Sequence, residues 1–146
     1  MDAIDRQIVA LLRQDARRSF QSIGLRVALS APAVKRRVDR LEADGVIRGY
    51  SAQVDPGRFG WGTHAFVALY CEGRMAANEV RAAVEDHPEV EAAYTVAGEA
   101  SAVVHVRARH TAHLEETLER LRDRPGITRT QTQIVLSTLF ERPFRE

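Results

Sequence analysis

The chain has a single cysteine in 146 residues, Cys71, so no intrachain disulfide forms and a reducing compartment is implied. Cys71 stands in an apolar run, where a thiol packs as a small hydrophobe. No stretch of about 18 apolar residues occurs, so no transmembrane helix is expected. The opening residues, with Asp2 and Asp5 among them, lack the basic-then-apolar order of a secretory signal, and a cytoplasmic protein is expected. No P-loop, G-x-S-x-G or G-x-G-x-x-G is present, which leaves catalysis without a local signature. His105, His110 and His113 raise the question of a metal, but no cysteine or carboxylate of matching spacing completes a ligand set. Neither a metal nor a cofactor is expected.

Charge is nearly balanced overall at +1, but it is unevenly spread. Residues 1–60 hold 11 Lys+Arg against 7 Asp+Glu, a net +4, and residues 61–146 hold 10 against 13, a net −3. A basic first part on an acidic remainder implies that only the first part meets a polyanion. The basic residues concentrate in 30–41. There Ser30 suits a helix N-cap, and Pro32 falls in a first turn whose amides have no intrahelical partner. Val34, Val38 and Leu41, at i, i+4 and i+7, make one narrow apolar face. Pro32, Arg36 and Arg40 point away from it, with Ala33 and Lys35 on its flanks. Small residues at the start let such a helix sink into a DNA groove, where the cations meet phosphates or guanine edges. A short helix over 19–27, with Phe20, Ile23 and Val27 inward, precedes it across a three-residue link. Two short helices in this relation, the second one basic, form the helix-turn-helix pattern.

The first helix is expected to begin at Asp2 or Ala3 and to bury Ile4, Ile8, Leu11 and Leu12. Gly45 ends the basic helix. Residues 46–54 read as a short extended segment, a wing or bridge strand that carries Arg48. Asp55, Pro56 and Gly57 make a turn, and Phe59 to Gly62 a hinge. Beyond it the element types alternate: a strand over 63–71, a helix over 75–86, strands over 90–97 and 101–109, a helix over 111–123 and a long strand over 127–139. The fold class is therefore α+β: an N-terminal helix-turn-helix (winged-helix-like) domain over 1–48, a linker or bridge strand over 49–62, and a C-terminal βαββαβ ferredoxin-like domain over 63–146. That topology leaves one sheet face bare. The first strand carries Ala65, Val67 and Leu69 on one face but Phe66, Ala68 and Tyr70 on the other. A copy of the same domain is the simplest cover, so a homodimer is expected.

With these pieces in order, the chain resembles the leucine-responsive/asparagine-regulator (Lrp/AsnC) family of transcription regulators from end to end. The likeness rests on the run from Asp2 to Ile8, on Leu29 and Ser30 entering the basic helix, and on residues 37–47. It continues through Tyr50, Val54, Asp55, Pro56 and Gly60, then Pro88, Glu89 and Val90, Gly98 and Glu99, and residues 125–132. The resemblance implies DNA binding by dimers or rings of dimers, which the C-terminal domain assembles, and an amino-acid effector held where dimers meet. It marks Gly98, Glu99, Ala100 and Ser101 as effector-binding candidates; Thr130 and Thr132 on the last strand join them as groups able to hydrogen-bond a ligand, a placement that β-propensity explains equally well. Three departures stand out. Gly24 replaces the family's usual alanine, Ala28 replaces the glycine of the turn, and Ser101 replaces an aspartate suited to an ammonium group.

Double-stranded DNA is thus the expected partner, through Arg17, Arg18, Ser30, Pro32, Ala33, Lys35, Arg36, Arg40 and Arg48. Arg36 and Lys35 are the best base contacts, Arg36 because it grips guanine bidentately. Arg17, Arg18, Arg40 and Arg48 suit phosphates. Arg37 lies only about 60–70° from the apolar face, which points to an ion pair with an acid such as Asp5 or Asp15. Asp39 weakens a basic face unless it pairs with Lys35. A prokaryotic regulator associated with the nucleoid is the leading reading. The alternatives are a chromatin-organising binder of low sequence preference and a siroheme-decarboxylase-like enzyme, which would need a tetrapyrrole cavity and no DNA-reading helix.

Overall fold

The computed structural model describes residues 1–73 and 75–141, and the chain divides into two units, Met1–Gln53 and Val54–Glu146. In the first unit, α1 (Ala3–Gln14), α2 (Phe20–Val27) and α3 (Ala31–Ala43) follow one another. Each begins where a short polar side chain can take up an orphan amide. Asp2 Oδ1 accepts from the Asp5 amide at 2.8 Å, while Asp5 Oδ2 accepts from the Asp2 amide at 2.9 Å, a reciprocal capping box. Ser19 caps α2 through the Ser22 amide, and Ser30 caps α3 through the Ala33 amide. Ile8, Leu12, Ile23, Val27, Val34 and Val38 close into one buried core, with Ile4, Leu11, Phe20, Leu29 and Ile47 packed around it.

The link between α2 and α3 explains two of the family departures. Ala28 sits in the left-handed region at φ 54°, the one non-glycine residue with positive φ among those described. This turn aims the Leu29 carbonyl back at Gly24, so close that a Cβ there would overlap its oxygen. Glycine at 24 is therefore a requirement of close approach, and its cost as a helix residue is accepted for it.

The second unit opens with a 3-10 turn, Pro56–Phe59. It continues as β1 (Thr63–Cys71), α4 (Ala77–Val84), β2 (Val90–Thr95), β3 (Ala102–Ala108), α5 (Thr111–Arg122) and β4 (Ile127–Ile134). The four strands form one antiparallel sheet in the order β2-β3-β1-β4. This is the expected βαββαβ topology. Ala65, Val67 and Leu69 of β1 and Ala102, Val104, Val106 and Ala108 of β3 are fully buried with Val80 and Val84 of α4 and Leu114 and Leu121 of α5. The opposite face holds Phe66, 43% exposed, and Tyr94, 60% exposed. It is more polar than β1 alone suggested. His64 Nδ1 lies 2.9 Å from His105 Nε2, and Glu91, the extra residue of a bulge in β2, reaches His105 and Arg107.

Several boundaries differ from expectation. Residues 46–54 form no strand; Val46 and Ile47 instead turn their amides back onto the Leu41 carbonyl at the end of α3. The last strand stops at Ile134 and not 139. Its partner β1 begins at Thr63, Ala65 pairs with Ile134, and Val135 makes the last bond, to the His64 carbonyl. Helix α4 spans eight residues where twelve were expected, starting after Ala76, whose amide the Glu79 carboxylate caps, and ending before His87 and Pro88. β2 and β3 are also trimmed, leaving 96–101 as the connection between them.

Alanine usually stabilises a helix interior by about 1 kcal/mol relative to glycine. Here Gly24→Ala should destabilise by about 1–3 kcal/mol, the cost of overpacking. Ala28→Gly should be neutral or stabilising by about 0.5 kcal/mol, since it relieves a left-handed alanine. Urea unfolding followed by far-UV dichroism measures both; a stabilising Gly24→Ala would contradict the close approach.

Candidate nucleic-acid interface and effector loop

Helix α3 and its cap Ser30 carry six of the expected DNA-binding residues, and the charges among them are not equally free. Val34, Val38 and Leu41 are buried, which turns Pro32, Lys35, Arg36, Asp39 and Arg40 outward. Lys35 Nζ lies 2.6 Å from Asp39 Oδ2, the i,i+4 pair foreseen above, between two half-exposed side chains. Arg37 turns toward α1, with Nη1 2.6 Å from Asp2 Oδ2 and 2.7 Å from Asp5 Oδ1. Asp5 is thus the acid that Arg37 meets; Asp15 instead receives the Arg17 amide. Arg40 also reaches Asp5, at 2.9 Å, while staying 55% exposed. That leaves Arg36 as the exposed cation of α3 with no acceptor among the described residues. Arg17 and Arg18 lie in the turn after α1, and Arg48 follows α3 in the irregular segment.

Asp5 anchors this arrangement. Its side chain is 1% exposed and accepts from the Asp2 amide, Arg37 and Arg40. The Asp2 amide is the main reason its carboxyl lies below the ordinary value. Burial works against that, and the two arginines add to it. Asp2 is lowered in the same direction by the Asp5 amide and then by Arg37.

In the second unit the effector candidates meet near one end of the sheet. The Ser101 amide donates to the Leu69 carbonyl at 2.9 Å, and Ser101 Oγ accepts from the Cys71 amide at 3.2 Å. Leu69 also pairs with Thr130 across β1 and β4, so Ser101 and Thr130 flank the same β1 residue about 10 Å apart, two strand spacings. Thr130 Oγ1 accepts from Arg122 Nε at 2.8 Å, and Thr132 Oγ1 is buried without a partner among the described residues. Gly98 adopts φ 143°, Glu99 is exposed and Ala100 is half-buried. Serine in place of the family aspartate is therefore occupied as a link between β3 and β1.

A second polar group in this unit was not legible from the sequence. Glu89, 5% exposed, accepts from His113 Nε2 at 3.0 Å and Arg120 Nη2 at 2.6 Å. His87 Nε2 accepts from Arg124 Nε at 3.1 Å. Burial and then Arg124 and Arg120 push His87 below the ordinary histidine value; burial, Arg107 and His105 do the same to His64. His113 and Arg120 share α5, but Glu89 and His87 lie more than twenty residues away in the chain before β2. Among the described residues no group of three His, Cys, Asp or Glu is placed to hold a metal ion, and no helix is long and apolar enough to cross a membrane.

Comparison with known proteins gives a consistent result. Residues 1–42 match the model of the AsnC-type helix-turn-helix domain, and residues 64–143 that of the Lrp/AsnC ligand binding domain. The chain is 46% identical over 142 residues to HTH-type transcriptional regulator Rv2324 of Mycobacterium tuberculosis, covering 97% of this chain and 96% of that one. It is 39% identical over 140 residues to HTH-type transcriptional regulator LrpA of the same organism, covering 96% and 93%. Among solved structures, the feast or famine regulatory protein Rv3291c of M. tuberculosis, complexed with L-methionine, superposes with a TM-score of 0.91 at 38% identity, covering 99% and 97%.

The two kinds of titrating group predict two acid limbs. Asp2 and Asp5 ionise more readily when folded, so their contribution is present above about pH 4 and is lost as pH falls through their lowered folded values. His64 and His87 resist protonation when folded. The unfolded chain binds protons first below pH 6.5, so stability falls as pH drops from there toward their folded values. Thermal unfolding at pH 7.5, 5.5 and 4 should show the second unit, read by Trp61 emission, weakening first. Asp5→Asn should destabilise the first unit by about 1–3 kcal/mol at pH 7 and flatten its acid limb. An unchanged acid limb would remove Asp5 from this role.

Proposed function

The chain belongs to the Lrp/AsnC family of transcription regulators, and from that membership we propose that it regulates transcription by placing α3 in the DNA major groove, two copies to a site. The observation that carries the reading is the division of charge on α3. Lys35, Arg37 and Arg40 are each tied to an acid, and Arg36 alone is exposed with no acceptor among the described residues. A guanidinium held on an ordered helix, with nothing to satisfy its fork, suits bidentate contact with a guanine edge. Ser30, Pro32 and Ala33, all short, let the start of the helix approach the groove floor. Arg17, Arg18, Arg48 and the exposed part of Arg40 suit phosphates. With three α3 cations already partly neutralised, a reading by base contact is favoured over a chromatin-organising one, which needs many free cations.

The partner copy is proposed to pack on the sheet face that bears Phe66 and Tyr94. The dimer then presents two α3 helices about one helical turn of DNA apart, or a multiple of it. Higher rings of dimers belong to the same proposal. Rv3291c has been solved with L-methionine, and we infer an amino-acid or similar effector here at Gly98, Glu99, Ala100 and Ser101 with Thr130 and Thr132. Glu99 is its carboxylate, because Ser101 is engaged with β1. Such an effector acts only by binding one assembly more tightly than another. On this reading the protein is a cytoplasmic, nucleoid-associated binder of prokaryotic DNA and not an enzyme.

Arg36→Ala should weaken specific binding by about 1–3 kcal/mol and relax base preference at one operator position, with the fold intact. Selection of binding sites from random duplexes, compared for the two proteins, measures both. An unchanged selected sequence would take base reading away from Arg36.

A further inference from the structure

The buried stripe of α3 has an outward counterpart. Val34, Val38 and Leu41 are buried at i, i+4 and i+7. Pro32, Arg36 and Asp39 repeat that spacing two residues earlier, and all three are exposed. At about 100° per residue, the offset of two places turns this second stripe roughly 160° from the first. It is therefore the middle of the outward face, with Lys35 on one side and Arg40 on the other. An arginine there suits DNA. An aspartate does not, because phosphates repel it.

Nothing in the helix itself calls for an acid at 39. Aspartate is among the weaker helix formers. Its partner Lys35 stands four residues before it, with Nζ 2.6 Å from Oδ2, and lysine before the acid is the less favourable order of an i,i+4 pair. Both side chains are half-exposed, where an ion pair adds little to stability. The pair does two other things. It cancels the charge that would oppose a phosphate backbone, and it holds the carboxylate on the outward stripe with one oxygen open, since Oδ1 meets no donor among the described residues. The major groove offers such an oxygen one well-suited partner, the N4 amine of cytosine. Guanine and thymine present acceptors, and adenine sets its N7 acceptor beside its amine.

We propose that Asp39 is a specificity-determining residue, accepting a hydrogen bond from the N4 amine of a cytosine one base step from the pair that Arg36 reads. Three residues of helix rise about 4.5 Å and one base step about 3.4 Å, so side chains at 36 and 39 reach neighbouring pairs. Lys35 is the positioning residue that fixes the carboxylate. The same carboxylate rejects guanine and thymine at that step, because it meets their acceptors with its own lone pairs. The inference rests on α3 lying in the major groove, and it adds a second base and a reason for an acid among the cations.

Binding sites are selected from random duplexes with the full-length wild-type protein, Asp39→Asn and Asp39→Ala, after far-UV dichroism shows that each is folded. The wild-type protein should select cytosine at one position beside the guanine. Asp39→Asn should exchange it for adenine, because a side-chain amide pairs with adenine N6 and N7. Asp39→Ala should accept any base there and keep the other positions. On the selected duplex, replacing that cytosine pair should weaken wild-type binding about tenfold or more, and Asp39→Ala binding by less than about twofold. A selected sequence that all three proteins share would overturn the proposal and leave the DNA reading in place. So would a uniform gain in affinity for every duplex with base preferences unchanged, the mark of simple repulsion between Asp39 and phosphates. A wild-type protein that selects no sequence would overturn both.

Discussion

The carboxylate of Asp5 organises the DNA-binding unit. A buried anion is costly unless its lone pairs are filled, and here the Asp2 amide, Arg37 and Arg40 fill them. The same atoms close the capping box of α1 and tie α1 to the middle of α3. Apolar packing of Ile8, Ile23, Val34 and Val38 provides most of the cohesion, but it is indifferent to small rotations of α3. The ion pairs are directional, and they set which flank of α3 turns inward. By engaging Arg37 and part of Arg40, they also leave Arg36 as the unpartnered cation of the outward face. Fold and recognition in this unit are thus decided by one electrostatic arrangement.

Helix α3 was legible in the sequence because its signals are local: a serine cap, a proline in the first turn and an i, i+4, i+7 apolar face. The pairing of Arg37 with an α1 acid followed from its angle to that face, although sequence alone left Asp5 and Asp15 open. The βαββαβ order was legible for the same reason, since strand alternation and helical spacing change at each Gly or Pro break. What sequence did not show depends on partners far along the chain. β4 ends at Ile134, opposite Ala65, with a last bond from Val135 to the His64 carbonyl, and residues 46–54 pair with no strand, Val46 and Ile47 turning back to the Leu41 carbonyl. Gly24 reads as a weak helix residue until the Leu29 carbonyl is seen against it. His113 and Arg120 share one face of α5 at i and i+7, but nothing local marks Glu89, far back in the chain, as the acid they meet.

At the start of β3, Ser101 fastens the chain to β1 and leaves Glu99 as the nearby acid of the proposed effector loop. A ligand there acts on DNA affinity only through its preference for one assembly over another, and the coupling is reciprocal: DNA changes ligand affinity by the same factor.

The central claim is that this protein reads a DNA sequence through α3. Fluorescence anisotropy on duplex DNA taken from upstream of its own coding sequence, beside a scrambled duplex of equal length and each at two salt concentrations, tests it most directly. The account predicts binding to the native duplex about 1000-fold or more tighter than to the scrambled one, with a preference that survives the higher salt. Equal and steeply salt-dependent binding to the two duplexes, or no binding to either at low salt, would contradict it.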